Sequence, residues 1–147
     1  MITTKIIANT FLLRGAKENI PLTLMKVQKL AYILYKEYYK ETKQKLFTEK
    51  FEKWRYGPAL PSLYYEFKFF KDKSITRFAR NANGVVEIMN LKSNLRISKI
   101  FEEVWNKYKN FSAIELSSMT TCKNTAWDKT DKNFLRDEDI INEETYI

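Results

Sequence analysis

Leu24, Val27, Leu30, Ala31, Leu34, Tyr35 and Tyr38 recur at intervals of three and four residues. One face of a helix spanning roughly residues 24–43 is therefore apolar and must be covered by the rest of the chain. Thr23 supplies an N-cap for this helix, and Asn19-Ile20-Pro21 breaks the chain ahead of it. Other segments carry the same period and can provide the cover. Ile6, Ile7, Phe11, Leu12 and Leu13 follow Thr3 and Thr4, either of which can cap. Leu63, Tyr64, Phe67 and Phe70 follow Pro61, which suits a first helical turn, in a helix reaching about Lys71. From Ser93, a helix is expected to turn Leu95, Ile97, Ile100, Phe101, Val104, Trp105 and Tyr108 inward. Ser112 with Glu115 reads as a capping box opening a short helix to about Met119, and residues 137–144 suit a last helix with acids in its first turn. Only three glycines and three prolines interrupt 147 residues. The expectation is a mainly α, compact single helical domain over residues 1–147 with a short extended segment or small β-hairpin, the acidic segment 128–147 being part of it.

Two stretches carry extended character. Phe51, Lys53 and Arg55 alternate with Glu52, Trp54 and Tyr56 ahead of the break at Gly57-Pro58. Residues 74–78 and 85–89 flank Asn81-Ala82-Asn83-Gly84, and Asn-Gly is a hairpin turn signal, so a two-stranded ribbon is expected there.

The sequence contains no histidine. Acid–base catalysis by imidazole, histidine-activated nucleophiles and imidazole metal sites are excluded. Cys122 is the single cysteine, so no intrachain disulfide can form, and nothing in the sequence activates its thiol. Glu49 with Glu52, and Glu102 with Glu103, lie among lysines and read as solvated surface charge. Asp137-Glu138-Asp139 lacks the spacing of a calcium loop. Gly15, Gly57 and Gly84 are too far apart for a phosphate loop. The chain is expected not to be an enzyme and to use no cofactor or metal.

Twenty-six basic and 18 acidic residues give a net charge of +8. Residues 128–147 hold three basic and seven acidic residues, a net of −4, which leaves 23 basic and 11 acidic residues, +12, in the rest. Such a field attracts nucleic acid or an acidic protein surface. It also follows from a Lys-, Asn- and Ile-rich composition with no functional demand, and arginine, the better phosphate ligand, occurs only six times. Lys26, Lys29, Lys36, Lys40 and Lys43 fall mostly off the apolar stripe, on a face that either tracks phosphates or is simply solvated. The acidic tail can also fold back on the basic body. Lys5, Asn9 and Thr10 interrupt the N-terminal apolar stretch, which is too short for a signal segment or a membrane span. The cytosol is the expected location, with no membrane partner.

Tyr32, Tyr35, Tyr38, Tyr39, Trp54, Tyr56, Tyr64 and Tyr65 exceed what a core of this size needs. Tyrosine and tryptophan concentrate at protein interfaces and also stack on bases, so a surplus beside Lys and Arg reads as a binding surface.

Two elements carry a resemblance. The first is Leu24-Met25-Lys26-Val27-Gln28-Lys29-Leu30-Ala31-Tyr32. The second is Trp54-Arg55-Tyr56-Gly57-Pro58-Ala59-Leu60-Pro61-Ser62-Leu63-Tyr64. Together they resemble the core of the Panacea, or SocA-like, antitoxin domain. Leu24, Gln28, Lys29, Leu30 and Tyr32 match its first helix, and Trp54, Tyr56, Gly57, Pro58, Pro61 and Tyr64 match its Trp-x-x-Gly-Pro-x-x-Pro element. Leu116, Ser117, Thr120 and Trp127 fit its C-terminal motif, with Thr121 where the family carries histidine. The resemblance spans roughly residues 5–145. It implies a compact helical domain of prophages and mobile elements, often an antitoxin that neutralises its toxin by direct contact, and it brings no catalytic residues. On this reading Lys29, Tyr32, Tyr56, Gly57, Pro58, Pro61, Tyr64 and Lys68 are the candidate partner-binding residues. Leu24, Gln28, Leu30, Trp54, Leu116, Ser117, Thr120 and Trp127 are candidate structural positions. The expected partner is a cognate toxin, and the alternative is a nucleic-acid-binding phage or mobile-element protein, for which the +12 body argues.

Overall fold

The computed structural model describes residues 2–146 and opens with α1 (Thr4–Glu18). Thr3 caps this helix by accepting from the Ile6 amide, and Asn19 ends it in the left-handed conformation at φ 56°. α2 (Leu24–Thr42) starts on the expected Thr23 cap and ends at Lys43, again left-handed. A hairpin of β1 (Glu52–Trp54) and β2 (Gly57–Ala59) follows, paired antiparallel in the register Glu52↔Ala59, Lys53↔Pro58, Trp54↔Gly57. Then come α3 (Pro61–Phe67), a 3-10 turn (Lys68–Phe70), α4 (Leu95–Tyr108), α5 (Ala113–Thr121), α6 (Ala126–Lys129) and α7 (Asp137–Asn142). Ser112 and Glu115 form the expected capping box of α5. Pro58 lacks an N–H and tolerates its strand because β2 is an edge; β1 passes its other edge to Asn133, whose carbonyl accepts from the Lys53 amide at 2.8 Å.

α2 is the axis of the molecule, in contact with α1, α3, α4, α5, α7 and β2. Every residue from Val27 to Lys36 is buried, so the apolar stripe was only part of what the helix hides. Three of the five lysines on its other faces do not form the solvated or phosphate-tracking face expected of them, while Lys40 is half-buried and Lys43 exposed. Lys26, Lys29 and Lys36 lie inside, and each ammonium donates to a backbone carbonyl outside α2: Lys109 at the end of α4 (2.5 Å), Pro58 in the hairpin (3.0 Å) and Glu144 after α7 (2.9 Å). Helix ends and turns leave carbonyls without a ladder partner, and a four-carbon stem buried against apolar neighbours lets lysine reach them.

Four further expectations are corrected. Residues 74–90 form no ribbon. The turn exists, with the Asn81 amide donating to the Val85 carbonyl at 2.9 Å and Gly84 at φ 77°, but its arms are bound across α1 instead. Asn9 donates to the carbonyls of Ala79 (2.9 Å) and Glu87 (3.0 Å) and accepts from the Ala79 amide (2.7 Å), while Thr10 accepts from the Met89 amide (3.0 Å). Two polar side chains inside α1 thus take the groups a ladder would have used. Leu95 is exposed because α4 starts on it from the Asn94 cap, before the buried stripe begins. Tyr64 sits on the open side of α3, whose buried contacts come from Leu63 and Phe67. Two of the acids read as solvated hold the fold: Glu49 accepts from the Ser62 hydroxyl (2.6 Å) and amide (3.1 Å), and Glu102 takes both Arg14 amino groups.

The acidic tail does fold back. Lys36, fully buried on α2, faces Glu143 at 3.5 Å and Glu37 at 3.4 Å, with the Tyr146 ring centre 3.2 Å from its ammonium. Glu143 also accepts from the Tyr32 hydroxyl (2.8 Å), the Ala126 amide (2.6 Å) and the Tyr146 hydroxyl. Burial, then Glu143, pushes the Tyr32 hydroxyl well above its usual titration range. Lys40 adds a donor to the Glu143 carbonyl at 2.5 Å. No helix among the described residues is long and apolar enough to cross a membrane.

Candidate functional site

The two elements that carry the sequence resemblance meet at Gly57. Its φ of +121° is in the region that disfavours side chains. Space excludes one as well, since a Cβ there would lie 2.9 Å from both the Lys29 Cε and the Thr120 Oγ1. Three helices close on the hairpin around this glycine. From α2, Gln28 holds Leu60 with both amide atoms: its Nε2 donates to the carbonyl at 3.0 Å, and its Oε1 accepts from the amide at 2.8 Å. Lys29 donates to the Pro58 carbonyl. From α5, the Ser117 hydroxyl donates to the Tyr56 carbonyl at 2.6 Å. Beside α6's first residue, the Trp127 indole donates to the Trp54 carbonyl at 2.7 Å. The C-terminal motif residues are thus clamps on a turn some 60 to 70 positions earlier. Thr121, where histidine was expected, donates to the Ser117 carbonyl of its own helix at 2.9 Å.

Outside this frame lies an aromatic surface. Tyr56 is 55% exposed at the hairpin tip, and Tyr64, Tyr65 and Phe69 line the open side of α3 and its 3-10 extension. Trp54 stands edge-on to Tyr64, with ring centres 5.0 Å apart, and Tyr64 is edge-on to Tyr65 at 5.4 Å. Cations attend the rings, with Arg55 over Tyr56 at 5.4 Å and Lys68 over Tyr65 at 5.2 Å. Between the hairpin and the first turns of α2 is a cleft of about 270 Å3, lined by Leu24, Met25, Lys29, Trp54, Tyr64 and their neighbours.

Of the candidate partner-binding residues, Tyr56, Tyr64 and Lys68 lie on this surface and Pro61 is half-buried at the start of α3. Gly57, Pro58 and Lys29 are buried beneath it. Tyr32 is elsewhere, fully buried in the lock on the C-terminal segment. Among the structural candidates, Leu24, Leu30, Leu116 and Thr120 are buried, Gln28 is a buried clamp, Ser117 and Trp127 are half-buried clamps, and Trp54 is half-buried and held by Trp127. Of the tyrosine surplus, Tyr32 and Tyr35 are core residues. Phe69, Arg55 and Met25 were missed. The first repeats Tyr65 one helical turn later, a signal that was present; the other two carry no pattern.

Burial draws the Lys29 ammonium down to about 8, with no opposing charge to restore it. Lys36 is also drawn down by burial but partly restored by Glu143 and Glu37, and Lys26 by Glu115. The surface charge available to phosphate is smaller than the sequence total suggests. Besides these three lysines, Arg14, Arg77, Arg96 and Arg136 are engaged by carboxylates. Cys122 is exposed, its thiol donating to the Met119 carbonyl.

The family model described as antitoxin SocA-like, Panacea domain matches residues 27–128, which takes in α2, the hairpin, the clamping helix α5 and Trp127. No curated protein and no solved structure matches the chain.

Proposed function

Because the chain belongs to the SocA-like, Panacea domain family of antitoxins, we propose that it neutralises a partner toxin by direct contact through the hairpin tip and the open side of α3. One observation supports this surface above any other: Tyr56 is exposed on a hairpin whose backbone four side-chain clamps hold, and Tyr64, Tyr65 and Phe69 are exposed on the helix and 3-10 turn that follow it. Rings fixed before binding lose little further entropy on contact, and tyrosine is enriched among the few residues that carry most of the energy of protein interfaces. Lys68 and Arg55 add positive charge suited to an acidic toxin surface.

The test is growth of cells expressing the neighbouring reading frame alone and together with this protein. Toxicity alone and rescue together support the reading, and rescue lost with Tyr56→Ala or Tyr64→Ala locates the surface. Toxicity without rescue overturns the pairing. Binding to duplex DNA that falls steeply with salt, with a log–log slope of about −0.9 per phosphate contacted, would favour the nucleic-acid alternative.

A further inference from the structure

Of the asparagines in the chain only Asn83 is followed by glycine, and both residues stand exposed at the tip of the turn whose arms cross α1. A Cβ at Gly84 would meet no atom within 4 Å, and φ there is +77°, so the position is open and suits glycine. Among the described residues the Asn83 side-chain amide has no hydrogen-bond partner, while its backbone amide donates to the Asn81 Oδ1 at 2.9 Å. Asn81 holds the rest of the turn. Its carbonyl accepts from the Gly84 amide at 2.9 Å, its Oδ1 also accepts from the Val85 amide at 3.0 Å, and its Nδ2 donates to Glu87 at 2.8 Å. Outside the turn, Asn9 and Thr10 pin residues 79, 87 and 89 to α1. The tip can therefore open alone, against a few solvent-facing bonds.

We propose that Asn83 is a self-modifying site: it loses its side-chain amide to attack by the Gly84 nitrogen and becomes aspartate and isoaspartate, at a rate that Asn81 sets. Hydroxide takes the Gly84 amide proton, and the nitrogen attacks the Asn83 Cγ. As that N–C bond forms, the Cγ–Nδ2 bond breaks, and Nδ2 takes a proton from water and leaves as ammonia. Water then opens the cyclic imide. Addition at Cγ gives aspartate. Addition at the Asn83 backbone carbonyl gives isoaspartate, with the main chain rerouted through the side chain. Glycine permits the attack because no side chain shields its nitrogen, and the free Asn83 amide has no bond to give up. The Asn81 carbonyl occupies the Gly84 N–H, so the reaction waits on opening of the turn. The net charge of +8 falls by one. The new carboxylate lies in the same turn as Arg80, which donates to the Gly84 carbonyl at 2.8 Å and has no carboxylate partner among the described residues. Isoaspartate lengthens the main chain by a methylene, slack that the pins at residues 79 and 87 confine to the tip. None of this chemistry depends on the antitoxin reading.

Mass spectrometry of the full chain, held folded at mildly alkaline pH and sampled over time, tests the site. Trypsin cuts after Arg80 and Lys92, and fragmentation of the peptide between them separates Asn83 from Asn81 and Asn90. Asn83 is expected to exchange NH for O in mass several-fold faster than any other asparagine, with isoaspartate in excess and a rate that rises with pH. Asn83→Gln should abolish the change at this position, because a glutamine has to close a larger ring. Asn81→Ala should speed it several-fold by releasing the Gly84 amide. Glu143→Ala, which loosens the C-terminal segment instead, should leave the rate unchanged, since only the turn must open. Conversion at Asn83 no faster than at the other asparagines overturns the proposal. So does an unchanged rate in Asn81→Ala. An acceleration by Glu143→Ala as large as that by Asn81→Ala would place the reaction in the unfolded chain and overturn it too.

Discussion

Removing the Glu143 carboxylate should release the C-terminal segment from α2 and cost a large part of the stability of the whole molecule. Four donors converge on this one buried group: the Tyr32 and Tyr146 hydroxyls, the Ala126 amide and the Lys36 ammonium. Breaking a buried ion pair from one side costs about 3–5 kcal/mol. The low end applies, because Lys36 keeps Glu37 at 3.4 Å, the Glu144 carbonyl at 2.9 Å and the Tyr146 ring. Orphaning the Ala126 amide and the Tyr32 hydroxyl adds about 1 kcal/mol or more between them. Glu143→Ala is therefore expected to lose about 4 kcal/mol of the roughly 5–15 kcal/mol that holds a domain folded. In urea, with an m value of roughly 2 kcal/mol/M, the midpoint should fall by roughly 2 M at unchanged m. Glu143→Gln keeps the shape and one acceptor oxygen and should lose roughly half as much. Combined with Lys36→Met it should lose less than the sum of the two single changes, by about 1 kcal/mol, since neither orphaned charge then remains. Hydrogen exchange should show α7 amides opening before those of α4. A loss below about 1 kcal/mol for Glu143→Ala, or strict additivity in the double variant, would refute the claim that this cluster locks the tail.

Gly57→Ala should cost about 2–4 kcal/mol, from the positive φ and from the 2.9 Å approach to Lys29 and Thr120, read as a lowered urea midpoint. A loss below 0.5 kcal/mol, as roughly expected of an ordinary surface change, would mean the clamp is loose. Lys29 makes a pH prediction. Its folded-state value of about 8 lies below the unfolded 10.5, so above pH 8 the folded chain has shed a proton that the unfolded chain still holds. Raising pH from about 8 to 10.5 should then stabilise the wild type relative to Lys29→Met, by on the order of 3 kcal/mol, with no relative change below pH 7. Parallel stability curves for the two proteins would contradict it. Asn9→Ala removes three hydrogen bonds to residues 79 and 87 and should cost about 2–3 kcal/mol, with faster amide exchange confined to residues 74–90. Uniform acceleration across the molecule would show that Asn9 does more than pin that segment.

Local pattern decided the helices. Thr23, Ser112 and Pro61 mark starts that hold to the residue, and the structure settles the open choice between Thr3 and Thr4 on Thr3, because capping and proline geometry depend on a few neighbouring atoms. The Gln-Lys-Leu helix, the Gly-Pro element and the distant Leu-Ser-x-x-Thr motif were all legible, and so was the family they signal. Their convergence on Gly57 was not, since it requires α2, α5 and α6 to arrive at one turn. Asn-Gly at 83–84 did make a turn, yet the flanking residues never paired, because Asn9 and Thr10 of α1 offered their backbone groups better partners. Periodicity likewise told which face of α2 is apolar but not where Lys26, Lys29 and Lys36 point. A lysine stem packs as readily in a core as on a surface, and its ammonium goes wherever the fold leaves a carbonyl or a carboxylate unmet. The sequence by itself set the elements and their apolar faces, through interactions that span one or two turns. Only the tertiary structure decided which polar groups meet across the chain, and so left Lys29 buried without an anion beside an open cleft.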